Sequence, residues 1–345
     1  MEENFKSARR TTPKSEVPVS GRIRPLRADD LDRAIALDAQ YAMRSRKGFF
    51  EKRLAAVLSE PDRFIFVGHE DRRGLNGFAL AHLLEGEFGH KMPVAMLDSI
   101  AVDIAVRGQG TGRLLLAEVE RILLHKGVAS IETETDWRNA SLVQFLSSAG
   151  FLVAPRIVLE YDLSKPQREL SAEGKNPSEE WMEKDFSDPH GDDFSALSRD
   201  RFPCRSMRAD DLEAIVAIAR HADGVDRSAY YRRKMKESLV ESGIRISLVS
   251  EMDGRISGFI MARMDFGEFG RVEPAAVIDS IGVSREHTHE GIGTALLSQL
   301  IGNLSFLRGD TVRTVVSWDQ ENLLAFFREN GFAPSQSLIF SRPIF

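Results

Sequence analysis

One cysteine in 345 residues leaves this chain no intrachain disulfide and no multi-thiolate metal centre, and no metal is expected. A reducing compartment suits such a chain, so a cytoplasmic location is the expectation. The lone thiol, Cys204, falls at the start of an expected strand and reads as structural rather than as a nucleophile. Long apolar runs are missing as well. None approaches the roughly 20 residues that cross a bilayer, and the opening segment MEENFKSARRTTPKSEVPVS lacks the apolar core of a secretory signal. No membrane partner is expected. Nor is there an excess of positive charge: 46 basic against 52 acidic residues leave a net −6. Nucleic-acid binding needs a basic footprint, so none is expected. What remains is a globular balance, 42% hydrophobic and 28% charged, in a chain long enough for two domains.

The densest signal runs from Leu97 to Leu116, LDSIAVDIAVRGQGTGRLLL. It reads as a strand, a glycine-rich turn and the first turns of a helix. The first N–H groups of a helix have no partner within it, and the helix dipole favours negative charge there. Such a turn is a ready phosphate holder. The stretch returns 181 positions later as IDSIGVSREHTHEGIGTALL, Ile278 to Leu297. The same shift carries Arg27-Ala28-Asp29-Asp30-Leu31 onto Arg208-Ala209-Asp210-Asp211-Leu212 and Gly86-Glu87-Phe88-Gly89 onto Gly267-Glu268-Phe269-Gly270. It also carries Asp98-Ser99-Ile100 onto Asp279-Ser280-Ile281, Trp137 onto Trp318 and Gly150-Phe151 onto Gly331-Phe332. One register kept through so many glycines and aromatics is a duplication, not a solenoid of short repeats.

The expected organisation is a disordered tail (1–20), a first domain (21–163), an acidic linker (164–203) and a second domain (204–345). The linker holds ten acidic and six basic residues and few apolar ones. Trp181 and Phe186 are candidates to pin part of it to a domain surface. In the first half, the periodicity predicts a helix after Asp29 or Asp30, a second over 47–58, and an antiparallel pair at 63–68 and 75–84. A strand over 94–102, a helix over 110–125, a strand over 130–135, a helix over 139–148 and a last strand or hairpin over 151–163 follow.

At this point the chain resembles the GNAT N-acetyltransferase superfamily, twice, over 22–163 and 204–345. That resemblance implies an α/β (α+β) fold in each half: a mixed, mostly antiparallel sheet flanked by helices. It rests on Arg107-Gly108-Gln109-Gly110-Thr111-Gly112, which matches the family's Arg/Gln-x-x-Gly-x-Gly/Ala at a helix start, and on Asn139 eleven residues before Gly150-Phe151. The resemblance implies acetyl-CoA as co-substrate, with its pyrophosphate on 107–112 and its pantetheine along Ile100 and Val102. Asn139 belongs to the same site. The glycines Gly108, Gly110 and Gly112 would let the backbone approach phosphate closely. The second half departs from the pattern. Thr288 replaces Arg107, Glu290 replaces Gln109 and Gln320 replaces Asn139. Its expected contacts are Ile281, Val283, Gly291, Ile292 and Gly293, with a carboxylate beside them that repels phosphate.

The family's usual tyrosine acid is absent from both halves, where Leu146 and Phe327 stand. Candidate bases are Asp98 and Asp279 on the strand, and Glu87 and Glu268 in the preceding turn; each of these carboxylates also has a plain structural reading. Arg46, Arg227, Tyr230 and Tyr231 fall on the second helix, which borders the acceptor cleft in the family; a surface salt bridge is the plainer reading for the arginines. Trp137 and Trp318 read as core residues. The resemblance implies acetyl transfer to a primary amine, a small molecule or a protein amino group, by direct attack in a ternary complex. The alternative is a non-catalytic acyl-CoA-binding or partner-docking module with a degenerate second half. The expected assembly is a monomer with pseudo-dimeric domains, or a homodimer.

Overall fold

The computed structural model describes residues 21–41, 45–84, 93–164, 202–241, 244–265, 275–306 and 310–344. The 1–20 tail, the two GEFG turns with Glu87 and Glu268, and Trp181 and Phe186 of the linker lie outside the described residues.

The first half runs β1 (Arg22–Pro25), α1 (Leu31–Asp38), α2 (Lys47–Ser59), β2 (Phe64–Asp71), β3 (Gly74–Leu84), β4 (Val94–Val102), α3 (Thr111–His125), β5 (Ser130–Asp136), α4 (Ala140–Ser148), β6 (Leu152–Val153) and β7 (Arg156–Asp162). The second half repeats it: β8 (Cys204–Ser206), α5 (Leu212–Asp223), α6 (Ser228–Lys236), β9 (Leu248–Met252), β10 (Arg255–Asp265), β11 (Ala275–Val283), α7 (Ile292–Phe306), β12 (Thr311–Ser317), α8 (Glu321–Glu329), β13 (Ala333–Pro334) and β14 (Ser337–Pro343). Among the described residues no helix is long and apolar enough to cross a membrane.

Period-two alternation sorts the strands onto two helical layers. On β3, Phe78 and Leu80 face a core shared with Ala34 and Leu37 of α1 and Phe49 and Phe50 of α2. Ala79 and Ala81 face the opposite core, with Leu115, Leu116, Val119 and Leu123 of α3. The second half builds the same two layers around β10. The parallel pairs are β4 with β5 and β11 with β12; all other pairs are antiparallel.

The sheets do not follow the halves. One has the order β1-β2-β3-β4-β5-β14-β6 and the other β13-β7-β12-β11-β10-β9-β8. Each half gives its last long strand to the other: β14 pairs with β5 from Ser337↔Asp136 to Pro343↔Ser130, and β7 with β12 from Arg156↔Ser317 to Asp162↔Thr311. Side chains complete the exchange. Phe340 is 2% exposed in the first half's core, and Arg342 donates to Ala149 O and lies over the Phe151 ring at 5.5 Å. Tyr161 packs on Phe332 of the second half at 5.5 Å. Between the sheets, Ala154, Val158 and Ile339 form a small core with Val315. Two buried ion pairs cross beside it: Arg156 with Glu132, and Arg313 with Glu134 at 2.5 Å. Arg313 also reaches Glu160 at 2.6 Å. Burial alone would lower the Arg313 pKa, but these two carboxylates hold it above its ordinary value.

Candidate active site

The glycine turn has the expected geometry in the first half. Gly108 and Gly110 adopt φ of +81° and +94°, a region open to glycine and costly for other residues. The N–H groups of Gly108, Gln109 and Gly110 have no hydrogen-bond partner among the described residues, and helical bonding begins with Leu114 N on Gly110 O at 3.1 Å. Arg107 is exposed, with its guanidinium 6.0 Å from the Tyr41 ring and no ion pair among the described residues. The turn is therefore a cluster of free N–H donors next to an uncommitted cation, which fits a pyrophosphate.

Two of its members work differently from the expectation. A Cβ on Gly112 would stand 3.2 Å from Phe145 Cε2, so this glycine serves the packing of α3 on α4. Gly293 meets Phe326 at the same distance in the second half. Thr111 and Ile292 are buried beneath Gly77 and Gly258, which leaves only their backbone N–H for a ligand.

In the second half the same turn is strained and anionic. His289 stands where Gly108 does and holds φ +67°, an arrangement that costs a non-glycine residue about 1 kcal/mol. Glu290 accepts from His287 Nδ1 at 3.1 Å, and the Thr288 hydroxyl is turned onto Arg285 O at 3.2 Å.

Each turn follows a strand that has parted from its parallel neighbour. β4 pairs with β5 only through Met96↔Glu132, and Thr133 Oγ1 then donates to Leu97 O at 2.8 Å. β11 leaves β12 after Ile278↔Thr314, where Thr314 Oγ1 donates to Ile278 O at 3.2 Å. The edge beyond carries Ile100 and Val102, or Ile281 and Val283, whose side chains pack inward on the cores. Tyr41 Oη donates to Val102 O at 2.5 Å, so that carbonyl already has one protein partner. Burial raises the Tyr41 pKa, with Arg107 pulling the other way.

At the parting point each strand bulges. Leu80 and Ala81 pair with Ser99 and Leu97, so Asp98 is the extra residue. Met261 and Ala262 pair with Ser280 and Ile278, so Asp279 is the extra residue. A bulge leaves that residue out of the ladder and re-aims its side chain. The Asp98 side chain is fully buried, held by His82 Nδ1 at 2.8 Å and Arg53 Nε at 3.4 Å, both on Oδ2. Its Oδ1 is buried without a hydrogen-bond partner. Asp279 lies between Lys234 Nζ at 3.1 Å and Arg263 Nε at 3.5 Å. Arg53 and Lys234 occupy corresponding positions on α2 and α6, as do His82 and Arg263 on β3 and β10.

The remaining expectations divide. Asn139 caps α4, with Oδ1 accepting from Leu142 N at 3.2 Å. Leu146 and Phe327 are buried and bring no proton. Arg46 is not a surface residue: its pair with Asp38 is buried and it reaches Ser99 Oγ at 3.1 Å. Tyr230 and Tyr231 are core residues, and Tyr231 Oη meets Ser280 Oγ at 3.0 Å. Trp137 and Trp318 are not core residues: they are 55% and 57% exposed. Each follows a strand whose neighbour comes from the other half, and the turn gives its ring no apolar layer to enter. Cys204 does open β8, and burial pushes its thiol up to about 11, away from thiolate chemistry. His82 was not singled out from the sequence. Its signal was a lone polar residue in the apolar run Phe78 to Leu84, on the Phe78 and Leu80 side of the strand.

Two mixed sheets, each opened at a bulge and followed by a glycine-rich turn at a helix start, define an α/β protein of two like modules. The family model of the acetyltransferase (GNAT) family matches twice, at 30–151 and 212–332. The chain belongs to this family and is an acetyltransferase with two such modules. Both matches stop short of the exchanged strands. No curated protein matches the chain. Among solved structures it is similar to a GCN5-related glucosamine N-acetyltransferase region of a fungal multi-domain GH3 β-N-acetylglucosaminidase (14% identity, TM-score 0.62). That alignment covers 94% of this chain and 38% of that one. A GCN5-related N-acetyltransferase from Sphaerobacter thermophilus aligns at 17% identity and TM-score 0.59, over 95% and 96% of the two chains. A tandem GNAT protein from the clavulanic acid biosynthesis pathway aligns at 16% and 0.59, over 94% and 99%. At these identities the likeness is one of fold.

Proposed function

We propose that the first half binds acetyl-CoA and transfers its acetyl group to a primary amine by direct attack in a ternary complex. The observation that carries this reading is the first turn, where Gly108 and Gly110 at positive φ expose unpaired N–H groups beside Arg107. Acetyl-CoA supplies an activated acyl carbon. The turn holds its phosphates, with Gln109 and the backbone of Thr111 at the helix start. The free edge of β4 at Ile100 and Val102 orients the arm, and a backbone N–H at the Asp98 bulge polarises the thioester carbonyl. Asn139 supports the same site from the start of α4. The acceptor enters on the α2 side, over Asp98. In the second half Ile281, Val283, Gly291, Ile292 and Gly293 offer the same backbone frame, but Glu290 opposes phosphate and Thr288 supplies no charge. Asp279 and Glu268 are its counterparts of Asp98 and Glu87. We assign the second half as a weak binder that completes the first through β14. The chain then acts as a monomer with two pseudo-dimeric modules, in a cytoplasmic setting.

A second reading, acyl-CoA binding without transfer, is favoured by Leu146 and Phe327, buried where an acid would stand. A screen of small amines, aminoglycosides and lysine peptides, scored by release of CoA thiol, separates the two. Turnover on any acceptor supports transfer. Tight acetyl-CoA binding with no turnover supports the second.

A further inference from the structure

We propose that His82 is the general base of the transfer and that Asp98 is its positioning residue. The assignment rests on the acetyl-transfer reading above and names a group that reading leaves open. Asp98 is a poor base where it stands. Its side chain is fully buried, and Oδ2 is shared between His82 and Arg53. With none of its side-chain surface exposed, the Asp98 carboxylate is out of direct reach of an acceptor amine and acts through a neighbour. In this assignment Asp98 is the acceptor of the 2.8 Å contact and His82 Nδ1 carries the hydrogen, since an ionised carboxylate has none to give. That choice leaves a lone pair on Nε2, the form a base requires. His82 has no other hydrogen-bond partner among the described residues, and its side chain keeps 11% of its surface. The ring lies against Phe64, 6.0 Å between centroids and inclined by 30°, which fixes its plane. The groups that face it are Asp98 from β4, Arg53 from α2 and the apolar Phe64 from β2.

The site lies where the chemistry needs it. His82 pairs across the ladder with Met96, the last β4 residue joined to β5, and lies beside the bulge where the strands part. It is on the α2 side of the sheet, with Phe78 and Leu80. The second half supplies an internal contrast. Arg263 replaces His82 and Lys234 replaces Arg53, so Asp279 is held by two cationic side chains and no imidazole. One half carries a base and the other does not.

The protons balance as follows. The acceptor ammonium gives one proton to His82 Nε2 and becomes a neutral amine. Its nitrogen attacks the thioester carbon; the carbon–nitrogen bond forms and the carbon–sulfur bond breaks, with the electron pair leaving on sulfur. The nitrogen sheds its second proton and the thiolate takes one up. The imidazolium returns its proton to water, so one proton is released per amide formed.

The test is the pH profile of kcat/KM with the best acceptor, in the full chain. His82→Gln should lower kcat/KM by about 10²- to 10⁴-fold, abolish the acid limb of the profile, and leave acetyl-CoA affinity within about twofold. Asp98→Asn should lower the rate less and move the acid limb to lower pH without removing it. His82→Gln with near-normal rate would overturn the assignment. So would a loss of rate that leaves the acid limb in place, since that is what a packing role produces. An acid limb abolished by Asp98→Asn and kept by His82→Gln would hand the role to Asp98. A wild-type chain that binds acetyl-CoA and turns over no acceptor fails before any variant is made, and overturns the transfer reading itself.

Discussion

The two halves bury an aspartate at the same bulge and surround it differently. Asp98 faces a histidine and an arginine; Asp279 faces a lysine and an arginine. The same contrast recurs at the turns, where Arg107, Gly108 and Gln109 answer to Thr288, His289 and Glu290. Backbone features are kept on both sides: the bulge, the parted strands, the threonine that bonds back across the gap and the glycine that seats one helix on the next. What differs is the charge and proton chemistry laid on them. The shared backbone features have a packing reason in both halves, because the second half completes the first half's sheet through β14.

The exchanged strands give the largest expected effects. Phe340→Ala, a change in the second half of the chain, should destabilise the first half's core by about 3–5 kcal/mol. Arg313→Ala should cost a similar ~3–5 kcal/mol, since it removes the buried cation shared by Glu134 and Glu160. Denaturant melts check both; a loss confined to the second half's own core would break the exchange. A 1–163 fragment lacks β14 and leaves β7 without β12. It should therefore run as a strand-exchanged dimer on light scattering, not as a stable monomer.

Next in size is the turn. Arg107→Ala should weaken acetyl-CoA by about 10- to 100-fold, as expected for a charge-assisted contact of ~1.5–3 kcal/mol. Thr288→Ala should change it by less than about threefold, as in any weak or unused site. Equal losses in calorimetry would erase the asymmetry. The converse sharpens it: Thr288→Arg with His289→Gly and Glu290→Gln should raise the measured stoichiometry from one acetyl-CoA to two.

The smallest effect is acid stability at the contact of α2 with α6. Glu237 meets Arg63 at 3.4 Å and Lys234 at 3.5 Å. Burial alone would raise its pKa, but Lys234, Arg233, Arg263 and Arg63 hold it below the ordinary glutamate value. A carboxylate lowered on folding stabilises the fold above its unfolded pKa of ~4.3 and loses that contribution as pH falls through the folded value. Thermal melts should therefore drop below about pH 4.5, and less steeply in Glu237→Gln.

Local patterns carried much of this in advance. The strand over 94–102 was read at its observed limits, and α3, β5 and α4 to within about one residue, because alternation, glycines and caps are written into neighbouring positions. The glycine-rich turn at the start of α3 is readable for the same reason. His82 was not, since its meaning comes from Asp98 sixteen positions away on another strand. The Trp137 and Arg46 readings failed likewise: exposure and pairing depend on what the fold brings near.

From its sequence alone, this protein is a duplicated acetyltransferase-family module whose two glycine-rich turns differ in charge, Arg107 and Gln109 against Thr288 and Glu290. Tertiary structure alone decided which partner each last strand takes, β12 for β7 and β5 for β14. The reason is physical. β7 and β14 carry equivalent patterns, so either could pair with β5 or β12 by its own alternation. The choice is made by contacts far apart in sequence: Phe340 in the first core, Tyr161 against Phe332, and the buried pairs of Glu132 with Arg156 and Glu134 with Arg313.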